Sequence, residues 1–123
     1  MSVNKVIMVG GVATDPSSKF NDGPNVERMS FNVATSSNFK RKDGARDSET
    51  LYHKIVAFGR QAQEMESSEL KKGDRIYLEG RIRYREVIPN ESDTPITITE
   101  IVVIAFTILQ RKRVEGNTQQ DNS

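Results

Sequence analysis

The sequence has 123 residues and contains no cysteine, no tryptophan and only one histidine, His53. The lack of cysteine excludes disulfide bonds and thiolate zinc sites, and it fits a reducing compartment. One histidine cannot supply a histidine-rich metal site. We therefore expect neither a bound metal nor any other cofactor.

Long apolar segments are missing as well. No apolar run approaches the roughly 20 residues that cross a bilayer. The opening stretch, MSVNKVIMVGG, lacks the basic segment and the long apolar stretch of a signal peptide. We expect one folded domain, residues 1–109, without a membrane segment. Residues 110–123 are polar except for Val114 and are predicted to form a disordered tail.

Enzyme motifs are a further absence. The chain has no glycine-rich phosphate loop and no Ser-His-Asp set in a recognisable context. We interpret isolated acids such as Asp74 and Glu79 as turn and strand-surface residues. The sequence therefore predicts a protein that is not an enzyme.

Positive charge is clustered along the chain, although the formal net charge is only +1. Residues 38–60 contain six Lys or Arg against three acids, residues 71–85 contain six against two, and residues 86–100 contain four acids and no base. Such clusters are typical of a polyanion-binding surface, and they are also compatible with an ordinary solvated surface.

Residues 50–58 have the β-branched and aromatic composition of a strand. Alternation places Tyr52, Lys54, Val56 and Phe58 on one face and an apolar set on the other. Two rings beside a lysine suit a nucleobase and its phosphate. The alternative is that both rings belong to the core and that Lys54 is simply solvated.

The remaining segments predict four more strands, at residues 3–12, 26–36, 74–87 and 96–109, and one helix at residues 60–70 that ends before Gly73. Residues 13–25 are predicted to be a loop. Residues 37–49 form a polar excursion with a turn signal at Asp43-Gly44, which suggests an extended hairpin. Phe39 stands there beside a run of cations, where it has little local core to contact.

The first strand has apolar side chains on both faces. Val3, Lys5, Ile7 and Val9 share one face, and we expect a subunit contact to cover it. Five strands with a helix between the third and the fourth are the layout of an all-β OB fold, a five-stranded Greek-key barrel with one short helix.

Several segments resemble, in order and with the same spacing, the bacterial single-stranded DNA-binding protein family. They are VNKVIMVGGVATDP, FNVATS, YHKIVAFGRQA, LKKGDRIYLEGRIRYR and TEIVVIAFTIL. The resemblance covers residues 3–109. It implies a non-catalytic, cytoplasmic, nucleoid-associated protein that coats single-stranded DNA in replication, recombination and repair. It also implies a homo-oligomer, a tetramer of OB folds.

The resemblance assigns stacking positions to Phe39, Tyr52 and Phe58, where the family usually has two tryptophans and a phenylalanine. Another family aromatic is replaced by Val87, and Tyr84, three residues earlier, should face the other side. His53 matches a histidine near the family's subunit contact. We expect the phosphate contacts to come from the neighbouring cations, namely Lys40, Arg41, Lys42, Lys54, Arg81, Arg83 and Arg85.

The end of the chain departs from the family pattern. Typical members continue to an acidic tip ending in Pro-Phe that recruits other enzymes, whereas this sequence ends in QQDNS. Either this member lacks that recruitment or the sequence is a truncated form. The missing tryptophans keep a second function open, a protein-recruiting OB module with little affinity for DNA.

Overall fold

Six strands and one helix make up the part of the chain that the computed structural model describes, residues 1–91 and 93–112. In chain order these elements are β1 (Val6–Val12), β2 (Ser17–Phe20), β3 (Val26–Lys40), β4 (Arg46–Phe58), α1 (Gly59–Ser67), β5 (Arg75–Val87) and β6 (Ile96–Gln110).

Five of the strands form a closed ring in the order β1-β5-β6-β4-β3, because β1 also pairs with β3. All of these pairings are antiparallel except that between β4 and β6, where Ile55 is the partner of Ile101. Closure leaves no exposed edge within the ring. The predicted OB architecture is confirmed, with the helix between the third and fourth strands of the ring.

The core lies inside this ring and is sealed by the helix. Ile55 of β4 and both Ile76 and Leu78 of β5 point inward and are fully buried. Ala62 and Met65, three positions apart on α1, join the same cluster because helical spacing places them on one side. Of the predicted apolar face of β4, Ile55 and Ala57 therefore close the core, whereas Leu51 is exposed.

The structure corrects the prediction that residues 13–25 are only loop. Within them, β2 pairs with β3, where Ser18 lies opposite Met29. The strand is short and mostly exposed, and its serines show no apolar alternation that sequence reasoning could detect. Its pairing depends on the neighbouring edge of β3.

The first strand also begins three residues later than predicted, at Val6 instead of Val3. The side chain of Asn4 takes over the pairing there: its amide donates to the carbonyl of Ile82, and its oxygen accepts from the Ile82 N–H. A side-chain amide thus substitutes for the backbone ladder.

The helix ends earlier than predicted as well. Its last residue is Ser67, and Glu69, not a glycine, adopts the left-handed conformation with φ of 57°. Gly73, expected to end the helix, lies instead in the following turn with φ of 98°.

The far end of β6 reaches Gln110, one residue beyond the predicted domain. The backbone N–H of Lys112 and the guanidinium of Arg111 both donate to the buried carboxylate of Asp74. These residues are therefore held against the domain. Residues 113–123, the rest of the predicted tail, lie outside the described part of the chain.

Gly80 is required by close packing where β5 meets β6. A Cβ atom at this position would lie 2.5 Å from the carbonyl oxygen of Val102 and 2.7 Å from a methyl group of Ile101. The pairing of β5 with β6 also shifts register between Glu79 and Gly80. The bend predicted at Gly80 thus lies opposite an extra, unpaired residue of β6, Ile104, and leaves no room for a side chain.

We therefore expect Gly80→Ala to lower the free energy of unfolding by about 1–3 kcal/mol, as overpacking of a filled core does. Urea denaturation measures this change. Gly11→Ala is the matched control, because a Cβ at Gly11 meets nothing within 4 Å. Equal stability of the two variants would contradict the prediction.

Candidate nucleic-acid interface

One outward face of the ring collects most of the residues that the sequence singles out. Tyr52, Lys54, Val56 and Phe58 alternate outward from β4. Val56 is the partner of Val102 on β6, and Val102 is in turn the partner of Arg81 on β5. The strand register therefore extends this face, which we call the basic face, across β6 to β5 and its alternating cations, Arg81, Arg83 and Arg85.

Tyr52 and Phe58 are both accessible on the basic face. Tyr52 is 67% exposed and Phe58 is 38% exposed. The guanidinium of Arg83 lies 5.1 Å from the centre of the Phe58 ring, a cation–π contact. The alternative that both rings are core residues is wrong for this chain, although Val56 between them is buried.

Glu100 lies on β6 in the middle of the basic cluster. One carboxylate oxygen accepts from Arg83 at 2.6 Å, and the other lies 3.1 Å from Arg85 and 3.9 Å from Lys54. The carboxylate is only 1% exposed, whereas the side chains of Arg83, Arg85 and Lys54 are between 34% and 40% exposed. Glu100 thus holds three cations from beneath while their outer surfaces stay open to solvent.

The charge state of Glu100 follows from this arrangement. Burial opposes ionisation of the carboxyl group, but the hydrogen bonds and the charges of Arg83 and Arg85 outweigh it and hold the pKa of Glu100 below its usual value. Glu100 is therefore an anion at neutral pH.

Phe39 is not brought onto the basic face. It pairs with Asp47 on the hairpin of β3 and β4. Side chains alternate between the two sides of a strand, and we call the side on which a residue lies its parity. Phe39 has the parity of Val33, whereas Tyr52 has the parity of its partner Ala34. The ring is 47% exposed. The hairpin itself, predicted from Asp43-Gly44, is confirmed: pairing continues to Lys40 and Arg46.

The cations of the hairpin differ in their surroundings. Lys40 has the same parity as Tyr52 and is exposed. Arg41 lies within salt-bridge distance of Asp43 and Asp47, whereas Lys42 is exposed at the turn. The charge of Arg41 is therefore already compensated by acids of its own hairpin.

Sequence reasoning missed two members of the basic face. Arg28 on β3 is the exposed partner of Phe58, and Glu100 organises the cluster. Arg28 stands alone in its segment, outside the charge clusters. Glu100 belongs to the acidic stretch that followed them, and only the pairing of β5 with β6 brings it opposite Arg83.

The predicted orientation of Tyr84 is consistent with the register. Tyr84 lies opposite Thr99 and shares the parity of Ile82, whereas Val87 shares the parity of Arg85 and lies opposite Ile96. Val87 thus lies on the side of β5 that carries Arg85, and Tyr84 lies on the opposite side.

Four of the five residues predicted to contact another subunit lie on or just before β1, and the fifth, His53, lies on β4. Ile7 and Val9 alternate outward and are exposed, while Val6 and Met8 pack against the core. Val3 and Lys5 precede the strand, and Lys5 pairs with Glu79. His53 lies opposite Val33 of β3, and its ring forms a hydrogen bond of 2.8 Å with the hydroxyl of Thr35. Their role in an interface stays a prediction.

Other kinds of site find no support within the described ranges. No group of three or more potential metal-ligating side chains occurs in residues 1–91 and 93–112. In the same residues, no helix is both long and apolar enough to cross a membrane.

Exposed rings and cations on one face of a closed five-stranded ring define an OB-fold domain of the nucleic-acid-binding type. Comparison with known proteins agrees: the model of the single-strand binding protein family matches residues 3–109. The chain therefore belongs to that family, whose function is to bind single-stranded DNA.

Similar proteins from other organisms are named single-stranded DNA-binding proteins. A single-stranded DNA-binding protein 1 of Chlorobaculum tepidum is 35% identical over 94% of this chain and 70% of its own length. One from Xanthomonas axonopodis pv. citri is 39% identical over 67% of this chain, which covers 44% of that protein. The chain thus spans less than half of the second relative.

The fold comparison gives the same class. A Plasmodium falciparum protein of this family, solved in complex with single-stranded DNA, superposes with a TM-score of 0.77. The two are 27% identical, and the match covers 89% of this chain and 97% of the other.

We expect Glu100→Gln to lower the free energy of unfolding by about 1.5–3 kcal/mol at pH 7, because hydrogen bonds to a charged group weaken. The lowered pKa fixes the pH dependence. The ionised carboxylate stabilises the fold above the unfolded pKa of about 4.3, and this stabilisation disappears as pH falls through the lower folded pKa. Urea denaturation of both proteins between pH 7 and pH 3 should show the difference shrinking below about pH 4. If the difference in free energy of unfolding did not change with pH, the account would be wrong. Glu86→Gln serves as the control, because Glu86 is exposed.

Proposed function

We propose that this protein binds single-stranded DNA without sequence preference through the basic face, by stacking bases on Tyr52 and Phe58 and by neutralising phosphates with nearby cations. The observation that supports this most is the combination of exposed rings and partly exposed cations on one surface. Every base offers a π-face, so stacking does not depend on sequence.

Single strands should bind better than duplex. In a duplex the base faces are stacked on one another, so that Tyr52 and Phe58 have nothing to contact. Only the cations would then contribute, and such binding is weak at physiological salt. Binding to single strands should also weaken as salt rises, with a slope of about 0.7 per phosphate contacted.

The hairpin extends this site beyond the ring. Lys40 has the parity of Tyr52, and Lys42 lies at the turn, so a strand leaving Tyr52 can follow these cations. Phe39 belongs to the opposite side of the two-stranded ribbon. Stacking on Phe39 therefore requires the DNA to pass around the hairpin, and the role of this ring is the least direct of the three.

The proposed cellular role follows the family. We infer that the protein coats and protects single strands during replication, recombination and repair, as a non-catalytic, cytoplasmic and nucleoid-associated protein. Recruitment of other enzymes is not part of the proposal.

We also propose a homo-oligomer, a tetramer of OB folds, built on the outer side of β1. Ile7 is 58% exposed in the single chain, and Val9 lies beside it on the same face. An apolar row of this kind on a strand surface fits the contact of a subunit. Val3, Lys5 and His53 are the other residues proposed for it.

Tyr52→Ala and Phe58→Ala should each weaken binding of poly-dT about tenfold or more. A stacked base contributes roughly 1–3 kcal/mol, and tenfold corresponds to about 1.4 kcal/mol. Fluorescence anisotropy with labelled poly-dT measures the change.

Tyr84→Ala is the matched control, because Tyr84 is also 67% exposed but has the opposite parity. It should change affinity by less than about twofold, well below the stacking range. Unchanged affinity in folded Tyr52→Ala, or an equal loss in Tyr84→Ala, would contradict the site. If the wild-type protein ignored poly-dT at low salt, the recruiting module would replace DNA binding as the function.

Ile7→Glu should dissociate the oligomer, because it places a charge in the centre of the proposed apolar contact. Light scattering should show a multiple of 13.9 kDa for the wild-type chain and the single-chain mass for the variant. Ile88→Glu is the control: Ile88 is similarly exposed but lies beyond β5. A monomeric wild-type protein, or an unchanged mass in Ile7→Glu, would refute the interface.

A further inference from the structure

The basic face contains a buried anion that base stacking and phosphate binding do not require. Glu100 accepts hydrogen bonds from Nε and Nη2 of Arg83 through a single oxygen, and its other oxygen faces Arg85 and Lys54. Three cations and one carboxylate leave a local charge of +2 where a face without Glu100 would carry +3. The carboxylate therefore lowers the positive charge that this surface presents to phosphate.

The position of Glu100 distinguishes between parts of a nucleic acid. Arg83 joins the carboxylate to Phe58, since it bonds to Glu100 and lies over the ring. Glu100 therefore lies beneath the region that a base stacked near Phe58 would occupy. The Glu100 charge matters little to a neutral base over this region, whereas it weakens the attraction of the three cations for a phosphate there.

Single strands and duplexes differ in what they can present to this region. A flexible single strand can turn its bases toward the rings and lead its phosphates past the other exposed cations, Arg28, Arg81 and Lys40. A duplex keeps its bases inside and presents rows of phosphates. The central carboxylate therefore disfavours the duplex more than the single strand.

We propose that Glu100 is a specificity-determining residue: it lowers the attraction of the Lys54–Arg83–Arg85 cluster for phosphate and so favours ligands that also stack a base on the neighbouring rings. Besides anchoring these cations, it limits the binding of polyanions that cannot stack. This inference rests on the proposed DNA-binding function.

The size of the effect follows from Coulomb's law. A unit charge roughly 7 Å from a phosphate changes a binding constant by about 3-fold to 50-fold as the effective dielectric constant falls from about 80 to 20. We therefore expect removal of the Glu100 charge to tighten duplex binding by about tenfold. Binding of oligo-dT should change by less than about threefold, because stacking leads its phosphates past the other exposed cations.

The experiment compares the wild-type protein with Glu100→Gln, which keeps the shape and removes the charge. Dissociation constants are measured for a labelled dT oligomer and for a duplex of the same length, at the same salt concentration. The ratio of the duplex constant to the dT constant should fall at least fivefold in Glu100→Gln. Glu86→Gln, which removes the same charge from the opposite parity of β5, should leave the ratio within twofold.

Three outcomes would overturn the inference. The first is an unchanged ratio of duplex to dT constants in folded Glu100→Gln, and the second is an equal gain in affinity for both ligands. The third is a loss of dT affinity with the ratio unchanged. This last result would mean that Glu100 only anchors the cations. Failure of the wild-type protein to bind dT would instead refute the proposed function, so that the two failures are distinguishable.

Circular dichroism and thermal melting verify that Glu100→Gln is folded. If it is not, the opposite change serves: Thr50→Glu adds a carboxylate with the parity of Tyr52, and Ser37→Glu adds one with the parity of Phe39. Thr50→Glu should raise the ratio of duplex to dT constants at least threefold above that of Ser37→Glu. Equal ratios in these two variants would also overturn the inference.

Discussion

The pairing that closes the ring of strands is the constraint on which the rest of the structure depends. Once β1 joins β3 as well as β5, each strand of the ring has two neighbours, and its side chains divide into an inner and an outer set. The inner set is filled by residues such as Ile55 and Leu78 together with Met65 of the helix. Because the core fixes which residues point inward, it also fixes which point outward. The positions of Tyr52 and Phe58 on the surface are thus a consequence of the burial of Ile55 and Ala57 between them.

The outer set owes its character to contacts between strands that are distant in sequence. Lys54 belongs to β4, Glu100 to β6 and Arg83 to β5, and only the register of the ring brings them within hydrogen-bond or salt-bridge distance. A buried carboxylate without such partners would be strongly destabilising, and the same cations without it would repel one another. The arrangement therefore orders Arg83 over Phe58 and keeps an anion at the centre of a basic surface. It links the stability of the fold to the electrostatics of the site, because the same group contributes to both.

Much of the fold was predictable because local signals agreed with the tertiary structure. Three local signals predicted their features correctly. Apolar alternation predicted strand β4, Asp43-Gly44 predicted the hairpin turn, and Gly80 predicted a bend in β5. The errors arose where pairing depends on a neighbour: β2 has no apolar pattern of its own, and the side chain of Asn4 replaces backbone pairing before Val6. The helix end was misplaced because Glu69, not a glycine, takes the left-handed conformation. Within the candidate site, the aromatic positions came from alternation and family resemblance, whereas Arg28 and Glu100 carried no local signal.

The sequence by itself determined the class of the fold, the two clusters of cations and the shared side of Tyr52 and Phe58 on their strand, because alternation and composition are properties of short segments. Only the tertiary structure decided that this side faces outward and that Phe39 lies on the other side of the hairpin from Tyr52. It also decided that Arg83 lies at cation–π distance from Phe58 and that a glutamate from an acidic stretch lies among three cations. The physical reason is that strand register is set by long-range closure around a common core. Residues dozens of positions apart become neighbours through that closure, and no pattern within either segment encodes it.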